Sequence, residues 1–291
     1  MIGNSSNAVS NTIHDGHEEQ REVNTHFDIG STYWSDLYFQ YDVFGVIHQQ
    51  RREVALKYFD SVSLPKESKI LEIGCGAGHT TVDVAKRGYK IEAMDIVPAM
   101  IELTQKHLEE SGLSSSASVS IGDAHSLRFS DHSFDCILAM GVIPWLYDAK
   151  KALQEIVRVL KPNGYVIINT DNRRRLNHLL DPIHSPVFRP FKKILKWLIE
   201  RTGLRKPSTL AKPHMYSIKE FEEMLERSGL KILKFHNLGF GPFTLFNKQI
   251  FSDNLGVKLH KRLQHLSDLR YPFLAKTGCQ YIVAAQKVNS K

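Results

Sequence analysis

Apolar residues along this chain fall into short unbroken runs that alternate with amphipathic stretches. Ile70–Ile73, broken only by Glu72, and Phe134–Met140 are the clearest runs. A strand buried on both faces of a parallel sheet has this composition. Between such runs the apolar positions recur at helical spacing. Leu37, Tyr41, Phe44, Ile47, Arg51, Ala55 and Phe59 form one stripe, Ile101, Leu103, Thr104 and Leu108 a second, Leu153, Ile156, Val157 and Leu160 a third, and Phe221, Met224 and Leu225 a fourth. Capping chemistry agrees with these stripes. Pro98 and Asp148 open helices, Ser217-Ile218-Lys219-Glu220 reads as a capping box, and Gly88, Gly112 and Gly229 close helices. Further strands are expected at 90–94, 117–121, 165–169, 231–238 and 280–286, with Pro162-Asn163-Gly164 as a turn and a helix over 257–268. Strand and helix in alternation predict an α/β fold built on a mostly parallel sheet.

Composition narrows the class. At 42% hydrophobic, the 291 residues are normal for a globule with a real core. No run of eighteen apolar residues spans a membrane, and the N-terminus lacks the charged-then-apolar pattern of a signal peptide. Cys75, Cys136 and Cys279 lie far apart, so neither a metal site nor a disulfide framework is expected. A cytoplasmic location follows as the expectation. Residues 1–24, rich in Asn, Ser, His and Glu, read as a disordered tail, and 25–62 as an aromatic, then helical, cover. The main domain then runs over 63–291, with insertions at about 171–213 and 239–271.

The net charge of +7 is local. Residues 171–213 hold eleven basic residues against Asp171, Asp181 and Glu200, which is more than the whole excess. Phe191, Ile194, Leu195, Leu198 and Ile199 share a helical face within it. A basic amphipathic helix over 188–205 either packs on its own domain or rests on an anionic membrane.

Candidate chemistry centres on Lys69–Asp95. Glycines at 74, 76 and 78 allow sharp turns and leave no Cβ between backbone and ligand. The helix that follows turns free N–H groups toward the same place. Asp95, at the tip of the next strand, suits a ribose diol. The spacing G-x-G-x-G differs from the G-x-G-x-x-G that cradles a pyrophosphate.

Glu72-x-Gly74-x-Gly76-x-Gly78, with Asp95 beyond, resembles motif I and the following acid of class I S-adenosylmethionine-dependent methyltransferases. The likeness covers roughly residues 68–170 and is of the small-molecule type, similar to enzymes of ubiquinone and menaquinone biosynthesis. It implies a Rossmann-like seven-stranded sheet of order 3-2-1-4-5-7-6, the last strand antiparallel, with helical caps. It implies S-adenosylmethionine as cofactor, held by Glu72, Gly74, Cys75, Gly76, Gly78, Asp95 and Ile96. Gly122-Asp123-Ala124 resembles the family's G-D-A turn, which places Asp123 and Ala124 at the adenine. Met140 and Gly141 line the cofactor from the fourth strand end, and Trp145 there is either a wall of the transfer site or a core anchor. Tyr33 and Trp34 are the aromatic candidates of an N-terminal lid, Tyr33 for the sulfonium by cation–π contact. His214 and His184 are the candidate general bases.

The expected function is methyl transfer to oxygen or carbon of a small acceptor: a natural product, a quinone-like ring, a glycan or a lipid. Met140-Gly141-Val142-Ile143-Pro144-Trp145 lacks the acid-or-amide, proline and aromatic pattern of base-amino methyltransferases, which argues against DNA. An RNA substrate drawn in by the basic insertion, and a non-catalytic cofactor-binding partner protein, are the alternatives.

Overall fold

A computed structural model describes residues 5–185, 201 and 212–288. The basic helix expected over 188–205 falls almost wholly outside these residues.

The elements begin with α1 (Ser5–Ile29), α2 (Ser31–Asp36) and α3 (Val43–Ser61). Next come β1 (Lys69–Ile73), α4 (His79–Lys86), β2 (Lys90–Asp95), α5 (Pro98–Glu110), β3 (Ala117–Ile121) and β4 (Phe134–Ala139). Then follow α6 (Ala149–Val159), β5 (Leu160–Asn172), α7 (Leu176–Leu180) and the two-residue β6 (Met215–Tyr216). After the helix Ile218–Arg227 come β7 (Leu230–Leu238), a small hairpin of β8 (Thr244–Leu245) and β9 (Lys248–Gln249), the helix Asp253–Asp268, and β10 (Gln280–Lys287). No helix among the described residues is long and apolar enough to cross a membrane.

The main sheet runs β3-β2-β1-β4-β5-β10-β7, with β10 antiparallel to both neighbours. Counting only its long strands, this is the expected order 3-2-1-4-5-7-6. An eighth strand was not foreseen. The short β6 pairs with Asp171 and Asn172, beyond the point where β4 stops at Ala139 opposite Ile168.

The unbroken apolar runs serve two faces at once. Ile70, Cys136, Leu138, Ile167 and Ala284 pack with Ala55, Leu56 and Phe59 of α3 and Val84 of α4. Their chain neighbours Leu71, Ile137, Ala139, Val166, Ile168 and Val283 pack with Leu153 and Ile156 of α6 and with Phe221 and Leu225. Alternate residues of a strand point to opposite faces, so a strand covered on both sides needs apolar residues throughout. Each such Leu or Ile contributes roughly 1.5–3 kcal/mol on burial.

Caps hold the frame. The Asp148 carboxylate accepts from the N–H groups of Lys150 and Lys151, and Ser217 and Glu220 complete the capping box. Arg158 of α6 reaches the carbonyls of Leu127 and Phe129, and Glu155 accepts from the N–H of Leu127. These contacts pin the loop that follows the Asp123 turn.

Two expectations need correction. Residues 5–24 of the tail expected to be disordered belong to α1, and Gln20 and Val23 of it are buried. The turn at 162–164 is absorbed into β5 as an irregularity, with Asn163 at φ 62° and its carbonyl accepting from the Gln286 side chain.

Candidate active site

A cavity of about 260 Å³ opens at the C-terminal ends of the central strands. This is where open α/β sheets place ligands.

One half of the cavity is local in sequence. After β1 the backbone doubles back, with Gly74 at φ 68° and Gly76 at φ 55°. The N–H groups of Gly74 and Cys75 both donate to the Met94 carbonyl at the end of β2. A Cβ at Gly74 would strike the Val142 side chain, whereas one at Gly76 would meet nothing within 4 Å. Gly76 therefore presents bare backbone to open space. Asp95 lies beside it. Its Oδ2 accepts from the N–H of Gly76 at 2.9 Å and its Oδ1 from that of Val97 at 3.0 Å. Burial raises the Asp95 carboxyl above the usual range, and those N–H groups oppose the rise. Ile96 lines the same wall.

Glu72 reaches the wall from inside β1. The Thr81 hydroxyl donates to its Oε2 at 2.6 Å, and burial pushes its carboxyl up to about 8. In the turn after β3, Asp123 Oδ1 accepts from the backbone N–H of His125 at 2.8 Å and bonds its ring Nδ1 at 2.7 Å. This partner holds Asp123 below the usual carboxylate range. Ala124 stands next to it on the wall.

The other half is assembled from distant segments. Met140 and Gly141 follow β4 onto the wall. The N–H of Gly141 donates to Asn169 Oδ1 at 2.6 Å, which ties the tip of β4 to β5. A Cβ on Gly141 would lie 2.8 Å from Nη1 of Arg51, so this guanidinium rests on bare backbone. Arg51 also donates to the Tyr38 hydroxyl at 2.9 Å. Asp171, Arg175 and Gln280 complete this end.

Aromatic rings from the N-terminal helices close the mouth. Phe27 lies 5.0 Å from Trp145 and 5.1 Å from Trp34, centroid to centroid. The Gln20 side chain accepts from the N–H of Tyr147 at 3.3 Å, which fastens α1 across the opening. Trp145 is thus part of the cavity wall and not of the core beneath it.

Four candidates stand elsewhere. Tyr33 is exposed and off the cavity wall, which its neighbour Trp34 lines instead. Gly78 caps α4 at φ 80°, where a Cβ would press on Thr104 of α5; its role is close packing of two helices. His184 bonds Asn247 at 2.7 Å and stacks on His178 at 4.3 Å, away from the cavity. His214 is not on the cavity wall: its half-exposed ring meets Glu19 of α1 at 3.2 Å, while its backbone N–H donates to the carbonyl of the wall residue Pro144 at 2.6 Å. The sequence reading missed Arg51, Asp171, Arg175 and Gln280 as wall residues. Arg51 left a trace, as an arginine within an otherwise apolar helical stripe.

The residues fit S-adenosylmethionine. Bare backbone at Gly76, two carboxylates on neighbouring strand ends and a guanidinium over Gly141 match a ligand with a nucleoside at one end and an amino acid at the other.

Comparison with known proteins agrees with this geometry. Residues 71–168 match the family described as Methyltransferase domain. The chain is 30% identical over 148 residues to norajmaline N-methyltransferase of Rauvolfia serpentina, covering 50% of this chain and 49% of that one. It is 22% identical over 226 residues to ubiquinone biosynthesis O-methyltransferase of Vibrio cholerae, covering 78% and 85%. A solved SAM-dependent methyltransferase from Methanosarcina mazei shares the fold, with a TM-score of 0.52 at 20% identity over 80% of this chain and 98% of that one. The chain spans about half the length of several curated relatives that it matches. Residues 71–168 are a methyltransferase domain of the class I, S-adenosylmethionine-dependent kind.

Proposed function

We propose that this protein transfers a methyl group from S-adenosylmethionine to a small-molecule acceptor. One observation carries the reading: the open backbone of Gly76 lies in a cavity flanked by the carboxylates of Asp95 and Asp123. When bound, the cofactor supplies an electrophilic methyl on a positively charged sulfur.

The residues then divide the work. Asp95 accepts the ribose hydroxyls, exchanging the N–H bonds it holds for ligand bonds. Asp123 has Oδ1 taken by His125 and keeps Oδ2 for the adenine amino group. Arg51, whose hydrogen-bond partner is a phenol, not an acid, pairs with the carboxylate of the amino-acid end. Phe27, Trp34 and Trp145 keep water from the transfer site and help align the reactants for in-line displacement.

Relatives of this chain are named for N-methylation of norajmaline, 4-C-methylation of a sterol and O-methylation in ubiquinone biosynthesis. A small acceptor is the class they share, methylated here on oxygen or carbon. The N-terminal helices serve as the lid. No described feature favours RNA or a membrane surface, since the basic segment behind those readings lies outside the described residues.

Titration calorimetry with S-adenosylmethionine and S-adenosylhomocysteine tests the assignment. Micromolar binding of both is expected. Failure of the folded protein to bind either would discard it.

A further inference from the structure

Six buried side-chain polar atoms among the described residues lack a hydrogen-bond partner, and two of them, Arg175 Nε and Gln280 Oε1, belong to residues that line the cavity. Asn169 Nδ2 and Thr170 Oγ1 lie near the end of β5, Arg175 Nε just beyond it, and Gln280 Oε1 at the start of β10. Buried polar groups are almost always paired in folded proteins. Two such atoms on one cavity wall mark a place that a ligand completes.

Asp171 stands among them. The sheet register sets it directly opposite Gln280, and opposed residues on adjacent strands share a face. Both line the cavity, and Gln280 is only 6% exposed. The Asp171 carboxylate accepts no hydrogen bond among the described residues. Arg175 Nη1 stands 3.7 Å from its Oδ2, beyond hydrogen-bond length, while Nη2 turns to the Met215 sulfur at 2.8 Å. A buried carboxyl that accepts no hydrogen bond calls for a ligand that brings a donor.

The surroundings narrow the ligand. Burial raises the Asp171 carboxyl above its usual range, and Arg175 and Arg51 on the cavity wall oppose the rise; with two cations already facing it, a further cation is disfavoured there and a neutral O–H donor is preferred. Phe27, Trp34 and Trp145 supply flat apolar surface along the same cavity.

We infer that Asp171, with Gln280 beside it, binds the hydroxyl groups of a hydroxylated aromatic methyl acceptor. The inference rests on the methyltransferase reading, because it names the acceptor side of the same cavity. Asp171 and Gln280 come from β5 and β10, remote in sequence from the glycine turn, so cofactor binding and acceptor binding are separable by measurement.

Catechol and its dimethyl ether, which lacks the two O–H donors, are the probes. They are titrated into the full chain saturated with S-adenosylhomocysteine and followed by calorimetry and ligand-observed NMR. Catechol should bind and the ether should not. Asp171→Asn should weaken catechol about tenfold and Gln280→Leu about fivefold, each leaving S-adenosylhomocysteine affinity within about twofold. If Asp171→Asn melts early, Gln280→Leu alone carries the comparison. Equal binding of the two probes, no catechol binding by wild type, or variants that bind catechol as wild type does would each overturn the inference while the cofactor still binds. Loss of S-adenosylhomocysteine binding by the folded wild-type protein would overturn the methyltransferase reading itself.

Discussion

The two halves of the cavity are built in opposite ways. On the side of β1, β2 and β3, the wall carboxylates already have partners from the chain: Gly76 and Val97 on Asp95, Thr81 on Glu72 and His125 on Asp123. On the side of β5 and β10, Asp171 accepts no hydrogen bond among the described residues and has only the Arg175 guanidinium at 3.7 Å, while Arg175 Nε and Gln280 Oε1 lack a partner. The first half is preorganised for one ligand, the cofactor. The second has polar groups whose partners the ligand must bring, as expected where the ligand differs from one relative to the next.

Gly76→Val tests the preorganised half most severely. The added side chain projects into space free of protein atoms, so the fold should survive, with backbone strain of roughly 1–2 kcal/mol from the left-handed conformation. The same side chain fills the cradle. Binding of S-adenosylhomocysteine should fall by more than roughly a thousandfold, a loss above 4 kcal/mol. A folded variant that binds normally would move the cofactor elsewhere. Asp95→Ala comes next. It removes the acceptor for two ribose hydroxyls and frees the N–H groups of Gly76 and Val97, with a loss of roughly a hundredfold. Calorimetry reads both, and a loss confined to the acceptor probe would contradict the division drawn here.

That same division decides what was legible from sequence. Glu72 to Asp123 is one stretch in which each functional residue lies at a turn whose type the sequence announces: glycines at 74 and 76, an acid closing a strand at 95, a glycine before the acid at 123. The sheet order was legible for a related reason. Continuous apolar runs meant strands covered on both faces, and alternation with helices meant parallel pairing. The acceptor half offered no such signal. Asp171 and Gln280 are 109 positions apart in the numbering, joined only by antiparallel pairing of β10 on β5, and Arg51 arrives from a helix that precedes the whole sheet. Asp171 and Arg175 were counted among the charges of the basic segment, where composition hid their place on the wall. The N-terminal tail misled for a different reason. Its polar composition is that of disorder, and Gln20 and Val23 become structural only once the rings at the cavity mouth give them something to cover.

Glu72 links the halves to pH. Its folded carboxyl keeps its proton up to about pH 8, whereas in the unfolded chain it loses the proton near the ordinary 4.5. Between these values the unfolded state binds fewer protons, so raising the pH favours unfolding. Stability from this group is complete below about 4.5 and is lost as pH climbs through 8. Glu72→Gln has no proton to lose. The difference in unfolding free energy between wild type and variant should shrink by about 2 kcal/mol from pH 6 to pH 8. Denaturant melts across that range check it, and parallel curves would mean that Glu72 is ionised in the fold.

The smallest effect belongs to the histidines the sequence put forward as bases. His214 Nε2 meets Glu19 Oε1 at 3.2 Å with both side chains about half exposed, and exposed polar pairs of this kind contribute less than about 1 kcal/mol. His184 shares its ring with Asn247 and His178 outside the cavity. His214→Ala and His184→Ala should therefore leave affinity for S-adenosylhomocysteine and for catechol within about twofold of wild type, since neither ring touches the wall. Asp171→Asn, by contrast, should lower catechol affinity alone. If His214→Ala behaved as Asp171→Asn is expected to, the acceptor would have to enter beneath α1 on the side of Glu19, and the unpaired groups at the end of β5 would need a different occupant.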